Sequence, residues 1–117
     1  MIKIMTLVGA CLLGGCTVVD ASYRPKPAKK LVASVYWQDQ GTFCGGRFNP
    51  KAITFADRGS KCGTRARITA DNGRSVIAVR NDKGPFVKGR HVDLSDGTAK
   101  ALNLSRSVHL VNVEYLD

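Results

Sequence analysis

Asp82 is the residue of this 117-residue chain whose surroundings best suit acid chemistry. A strand-like run, Ser75 to Arg80, delivers it to a strand end. Gly84-Pro85 then forces a turn, because glycine allows positive φ and proline fixes its own. A carboxylate so placed is positioned by the strand and left open to substrate by the loop. Asn-Asp before Lys-Gly-Pro is also ordinary turn chemistry, so spacing alone leaves Asp82 as either an acid or an Asx-type turn residue. Arg90, Asp93 and Ser95 follow closely. Two further carboxylates, Asp39 and Asp57, lie upstream. The histidines are His91 and His109, both read as packed or surface groups rather than catalysts.

Aromatic residues gather near the same segments. An exposed Trp37 suits stacking on the apolar ring face of a ligand, and Tyr36 and Phe43 are its neighbours. Large aromatics in small barrels are mostly buried, and Phe86 is expected in the core. Arg80, Arg90 and Asp93 either hold the Asp82 loop through charge-assisted hydrogen bonds or contact polar groups of a substrate.

Many short strands must position these groups. Leu31 to Trp37, rich in β-branched and aromatic residues, predicts a first strand. Ala52 to Ala56 is short and apolar. Arg65 to Ala70 alternates as a half-buried strand does, and Asn72-Gly73 turns it into the return strand Ser75 to Arg80. His91 to Leu94 is a short extended piece. Asp96 to Leu104 predicts a helix with Asp96 as its cap and Ala99, Leu102 and Leu104 on its buried face. Ser107 to Tyr115 alternates as a last strand. Short strands with one helix argue for an all-β closed barrel.

The N-terminus reads as an export signal. Lys3 supplies positive charge, and the apolar run Ile4 to Leu13 is too short to span a membrane. It ends in Leu13-Gly14-Gly15-Cys16, which looks like a bacterial lipobox with Cys16 as the lipidated first residue; ordinary signal cleavage or a retained anchor are the rival readings. Thr17 follows in place of an aspartate, which favours the outer membrane, facing the periplasm. The expected organisation is a signal at 1–15, a basic proline-containing tether at 16–30 and one domain at 31–117. Cys11 falls in the signal. Cys44 and Cys62 remain as a pair in an oxidising setting, and a bridge would stabilise the domain by about 3 kcal/mol. Zinc is the rival reading, but two cysteines without nearby histidine or a C-x-x-C supply too few ligands. No metal or other cofactor is expected.

Lysine and arginine number 18 against 9 acids, a formal charge of +9. Such charge either reports the sign of a partner or is a merely soluble cationic surface. The export signal and the lack of an aromatic-interleaved recognition motif argue against nucleic acid. Peptidoglycan and anionic lipid headgroups are the polyanions available to an exported chain.

The segment N-D-x-G-P-F-V-x-G-R-x-x-D-L-S, residues 81–95, resembles the signature of the rare lipoprotein A family. The resemblance extends from about Ala33 to Tyr115. Ala33-Ser34-Val35-Tyr36-Trp37 is similar to the family's opening strand. Cys44-Gly45-Gly46-Arg47-Phe48-Asn49-Pro50 is similar to its glycine-rich loop in the cysteine-bearing version. Gly63-Thr64-Arg65 and Asn72-Gly73-Arg74-Ser75 follow in order. The resemblance implies a six-stranded double-psi β-barrel with one or two short helices, acting on peptidoglycan glycan strands as a monomer.

The activity implied is lytic transglycosylation. It cleaves the bond after N-acetylmuramic acid without water and leaves a 1,6-anhydro end. One acid must protonate the leaving oxygen and then take the proton of the attacking 6-hydroxyl. Asp82 is assigned that role, with Tyr36, Trp37, Arg80, Arg90 and Asp93 binding substrate. One departure matters. The family usually reads Leu-Thr-Ala-Ala-His where this chain has Ile53-Thr54-Phe55-Ala56-Asp57, so Asp57 stands at the position of a histidine assigned to the active site. Either Asp57 forms a carboxylate pair with Asp82, or it is a solvated loop residue and activity is reduced or absent. In the second case the chain is a glycan-binding or expansin-like wall-loosening module. A third reading pairs Tyr36-Trp37 with Asp39, as in double-psi barrel endoglucanases, whose base sits there.

Overall fold

The computed structural model describes residues 28–38 and 41–117. Cys11, Cys16, Asp39, the expected signal and most of the expected tether lie outside the described residues. Six strands close into a barrel: β1 (Lys29–Tyr36), β2 (Thr54–Asp57), β3 (Arg65–Ala70), β4 (Ser75–Lys83), β5 (Val92–Ser95) and β6 (His109–Tyr115). One helix, α1 (Asp96–Ala101), follows β5. Around the barrel the order is β1-β5-β2-β4-β3-β6. β1 runs parallel to β5 and β2 parallel to β4, while the remaining neighbours are antiparallel. Closure removes the unpaired edges that so small a sheet would otherwise expose.

Alternation explains the core. Ala66, Ile68 and Ala70 of β3 and Val111 and Val113 of β6 point inward, with Arg65 and Arg67 left outside. Phe55, Leu94, Val92 and Leu102 complete the centre, all fully buried. The inward residues of β3 and β4 include three alanines, Ala66, Ala70 and Ala78, which leaves room for Phe55 and Ile68 in a narrow barrel.

Several boundaries differ from those expected. β1 begins at Lys29, whose partner is Val113 of β6, two residues before Leu31. β2 ends on Asp57 rather than Ala56. β4 continues past Arg80 to Lys83 because a bulge between Phe55 and Ala56 pairing shifts the register, setting Ala56 opposite Asp82. The hairpin between β3 and β4 uses Asp71, Asn72 and Gly73, with only Gly73 at positive φ, as in a three-residue loop. The helix cap is Ser95, whose Oγ accepts the Thr98 N–H at 3.1 Å, and not Asp96. Helix α1 stops at Ala101, and Asn103 takes a φ of 58° just beyond it.

Gly97 requires its hydrogen side chain. An added Cβ would lie 2.4 Å from the Lys51 carbonyl oxygen, and the Gly97 N–H donates to the Pro50 oxygen at 2.7 Å. Helix α1 is thereby pressed onto the segment that leads into β2. A disulfide joins Cys44 to Cys62, with Cα atoms 5.6 Å apart, and ties the 42–47 loop to the turn before β3.

Candidate functional site

The β4 bulge sets up the site. Asp82 is 9% exposed and lies on the strand itself. Its Oδ1 accepts two backbone N–H groups, from Phe43 and from Lys83, each at 2.8 Å. Two fixed amides orient the carboxylate through the backbone. The Cys44 N–H donates to the Asn81 oxygen at 3.2 Å, so the disulfide loop is laid along this part of β4. The Phe43 ring is 62% exposed, with the Arg80 and Lys83 cations 5.6 and 5.2 Å from its centroid.

Tyr36 stands between two acids. Its hydroxyl donates to Asn81 Oδ1 at 3.1 Å, and its ring stacks on Phe48 with centroids 4.4 Å apart. Burial pushes the Tyr36 hydroxyl well above the usual phenol range, and the charges of Asp82 and Asp93 push the same way. Asp93 is half-buried and accepts a short hydrogen bond from Ser34 Oγ across the β1–β5 pair. Tyr36, Asn81, Asp82 and Asp93 thus form one polar cluster. Trp37 sits just past β1, exposed, with the Arg106 guanidinium 4.4 Å from its ring centroid.

Asp57 occupies a different setting. It is 4% exposed, so it is not a solvated loop residue. Oδ1 accepts the Ser60 N–H at 3.1 Å and the Ser60 hydroxyl at 2.8 Å, and Oδ2 accepts the Tyr115 hydroxyl at 2.8 Å. Arg80 lies 3.4 Å away as an ion-pair partner, itself 4% exposed. Tyr115 is pushed well above the phenol range by burial first, then by its bond to Asp57 and that carboxylate's charge. The register sets Asp57 opposite Lys83, one step beyond the Ala56–Asp82 pair.

Arg80 joins the two carboxylate segments. Its Nε donates to the Asp82 carbonyl at 2.8 Å, and its Nη atoms donate to the carbonyls of Asp57 and Ser60. Of the two alternatives for Arg80, the geometry is that of a group holding the Asp82 segment, its guanidinium turned to backbone oxygens rather than outward. Arg58 does the same for the following loop, donating to the carbonyls of Pro85 and Arg90. Arg90 itself is half-buried in that loop.

Phe86 overturns its expected place in the core: it is 75% exposed. The cause is the tight Gly84-Pro85 turn, where both residues are buried and Gly84 has a φ of 138°, leaving the next side chain to face out. His91 is exposed and His109 half-buried. Ser60 and Tyr115 carried no signal as site residues: Ser60 lies in a loop without a pattern, and Tyr115 meets Asp57 from 58 residues away. Among the described residues no cluster of His, Cys, Asp or Glu could hold a metal ion. No helix among them is long and apolar enough to cross a membrane.

Comparison with known proteins agrees with this geometry. A family model described as lytic transglycolase, of the double-psi β-barrel type, matches residues 28–115. A probable endolytic peptidoglycan transglycosylase RlpA of Nostoc sp. is 46% identical over 92 residues, 73% of this chain and 25% of that protein. Its counterpart in Synechocystis sp. is 38% identical over 108 residues, 89% of this chain and 34% of that protein. The endolytic peptidoglycan transglycosylase RlpA of Pseudomonas aeruginosa PAO1 is 32% identical over 111 residues, 86% of this chain and 32% of that protein. This chain therefore spans about a quarter to a third of these relatives' length. The solved Streptomyces papain inhibitor superposes with a TM-score of 0.64 at 16% identity, covering 82% of this chain and 100% of that one. That likeness is one of fold alone.

Proposed function

Because this chain belongs to the double-psi β-barrel family of lytic transglycolases, we propose that it cleaves peptidoglycan glycan strands endolytically and leaves 1,6-anhydromuramyl ends. The observation that carries this reading is the setting of Asp82. It is a nearly buried carboxylate aimed by two backbone amides, beside a polar cluster and an exposed aromatic ring. Asp82 donates its proton to the glycosidic oxygen as the C1–O4 bond breaks. The muramyl 6-hydroxyl then bonds to C1 and returns its proton to Asp82, so atoms and charge balance without water. Tyr36 and Asn81 position this carboxylate's surroundings, and Asp93, Trp37 and Arg90 are candidates for substrate contact.

Asp57 has a different part in this reading. Its carboxylate is engaged by Ser60, Tyr115 and Arg80, so it acts through Arg80 as a positioning residue rather than as a second acid. Cys16 carries a lipid in this proposal and holds the domain to the outer membrane, facing the periplasm. Incorporation of labelled fatty acid, abolished by Cys16→Ala, is the check on that anchor.

The second reading is a glycan-binding or wall-loosening module. The observation favouring it is the same engaged Asp57 at the position of the family's histidine. Mass spectrometry of purified glycan strands incubated with the protein separates the two. Transglycosylation predicts anhydromuramyl-ended products, falling about 10²–10⁴-fold in Asp82→Asn. Products that persist in Asp82→Asn remove Asp82 from the role. Strands that stay intact while bound to the folded wild-type protein establish the binding module.

A further inference from the structure

A groove of about 1010 Å³ opens beside Asp57, and Asp82 is not among its lining residues. Its charged lining is Lys29, Arg58 and Lys61 on one side of the balance and Asp57 and Asp117 on the other, with His91 beside them. The two acids are already matched within the protein. Asp57 pairs with Arg80, and Asp117 pairs with Arg65 at 2.8 Å. Lys29 and Lys61 are exposed and have no ion-pair partner among the described residues. Arg58 is anchored by carbonyl oxygens, which orient its charge without cancelling it.

His91 adds a directed donor. The Val32 N–H donates to His91 Nδ1 at 2.9 Å, and the His91 N–H donates to the Val32 oxygen at 2.9 Å. With Nδ1 acting as acceptor, the ring proton resides on Nε2. The imidazole is held at the rim by the backbone of β1 and offers that N–H to a ligand.

We infer that this groove is a carboxylate-binding site, in which Lys29, Lys61 and the Nε2–H of His91 hold an acidic group carried by the glycan strand. The inference rests on the peptidoglycan reading above and adds a site outside the Asp82 cluster. A concave surface with uncancelled positive charge raises the local concentration of anions and selects for them. The volume matches that of sites for fragments of oligosaccharide or peptide size. Two sources present the same chemistry. One is the lactyl carboxylate of a muramyl residue freed of its peptide, and the other is a carboxylate of an attached stem peptide.

The test is equilibrium binding of the Asp82→Asn protein, which leaves strands uncut, to three preparations. These are peptide-bearing strands, peptide-stripped strands with free lactyl carboxylates, and stripped strands whose carboxylates have been converted to neutral amides. Both carboxylate-bearing forms, or one of them, should bind more tightly than the neutral strands, and the tighter of the two identifies the source. Lys29→Gln and Lys61→Gln should each weaken carboxylate-dependent binding roughly two- to fivefold and leave neutral strands unaffected. His91→Gln should weaken it further in the same selective way. Neutral strands that bind as tightly as charged ones overturn the inference, as do lysine variants that bind all three forms like the parent. Carboxylate-dependent binding by a wild-type protein that cuts nothing would sustain this site while removing the transglycosylase reading.

Discussion

Arg80 shows how much one buried cation organises. Removing the Asp57 charge leaves its guanidinium 4% exposed and without an ion-pair partner among the described residues. Breaking a buried pair from one side costs about 3–5 kcal/mol. Asp57→Asn is therefore expected to lower the urea midpoint of unfolding by a corresponding amount. Activity, assayed where the variant remains folded, should fall less than in Asp82→Asn. An Asp57→Asn protein of wild-type stability, but as inactive as Asp82→Asn, would make Asp57 a catalytic acid instead. The placement of Asp82 late in a strand, just before the Gly84-Pro85 turn, was legible because it depends on local residue types. The engagement of Asp57 was not, because Tyr115 is 58 residues away and Ser60 is a loop residue with no pattern of its own. Phe86 was misplaced for a related reason: an aromatic residue signals burial only when its backbone faces the core, and the Gly84-Pro85 turn decides that.

The barrel's elements are held by a few close approaches. Helix α1 has six residues, too short to be stable through its own hydrogen bonds. It depends on the Ser95 cap and on the contact at Gly97. Gly97→Ala forces a methyl group within 2.4 Å of the Lys51 carbonyl oxygen, and overpacking of that kind costs about 1–3 kcal/mol. A melting temperature lower by roughly 4 °C or more for a domain of this size is the expected result. An unchanged midpoint would mean that the 50–52 segment moves aside freely. The Cys44–Cys62 bond performs a similar service for the loop that carries Phe43 over Asp82. The cap at Ser95 rather than Asp96 follows from where β5 ends. Asp96 is instead lowered from its ordinary value by its bonds to Arg106 and Lys100.

For the whole molecule, pH sensitivity is expected on the alkaline side. Tyr36 and Tyr115 both have folded-state values above the ordinary 10.0, mainly through burial. The unfolded chain loses these protons first. Their contribution is complete below pH 10 and is lost as pH rises from about 10 through the folded-state values. Thermal unfolding should show a midpoint that declines above pH 10, with a shallower decline in Tyr115→Phe. A decline of the same slope in the variant would detach Tyr115 from the effect. The alternation of β3 and β6, the basic charge, the cysteine pair and the Asp82 turn could be read from the sequence, because each depends on residue type and short spacing. Family likeness supplied the double-psi connectivity. The tertiary structure alone decided that Asp57 faces Arg80, Ser60 and Tyr115, that Ser34 meets Asp93, and that Lys29, Lys61 and His91 share one groove. These meetings depend on parallel pairing between distant strands, on barrel closure and on a single bulge in β4. Such long-range register has no periodic trace in the chain.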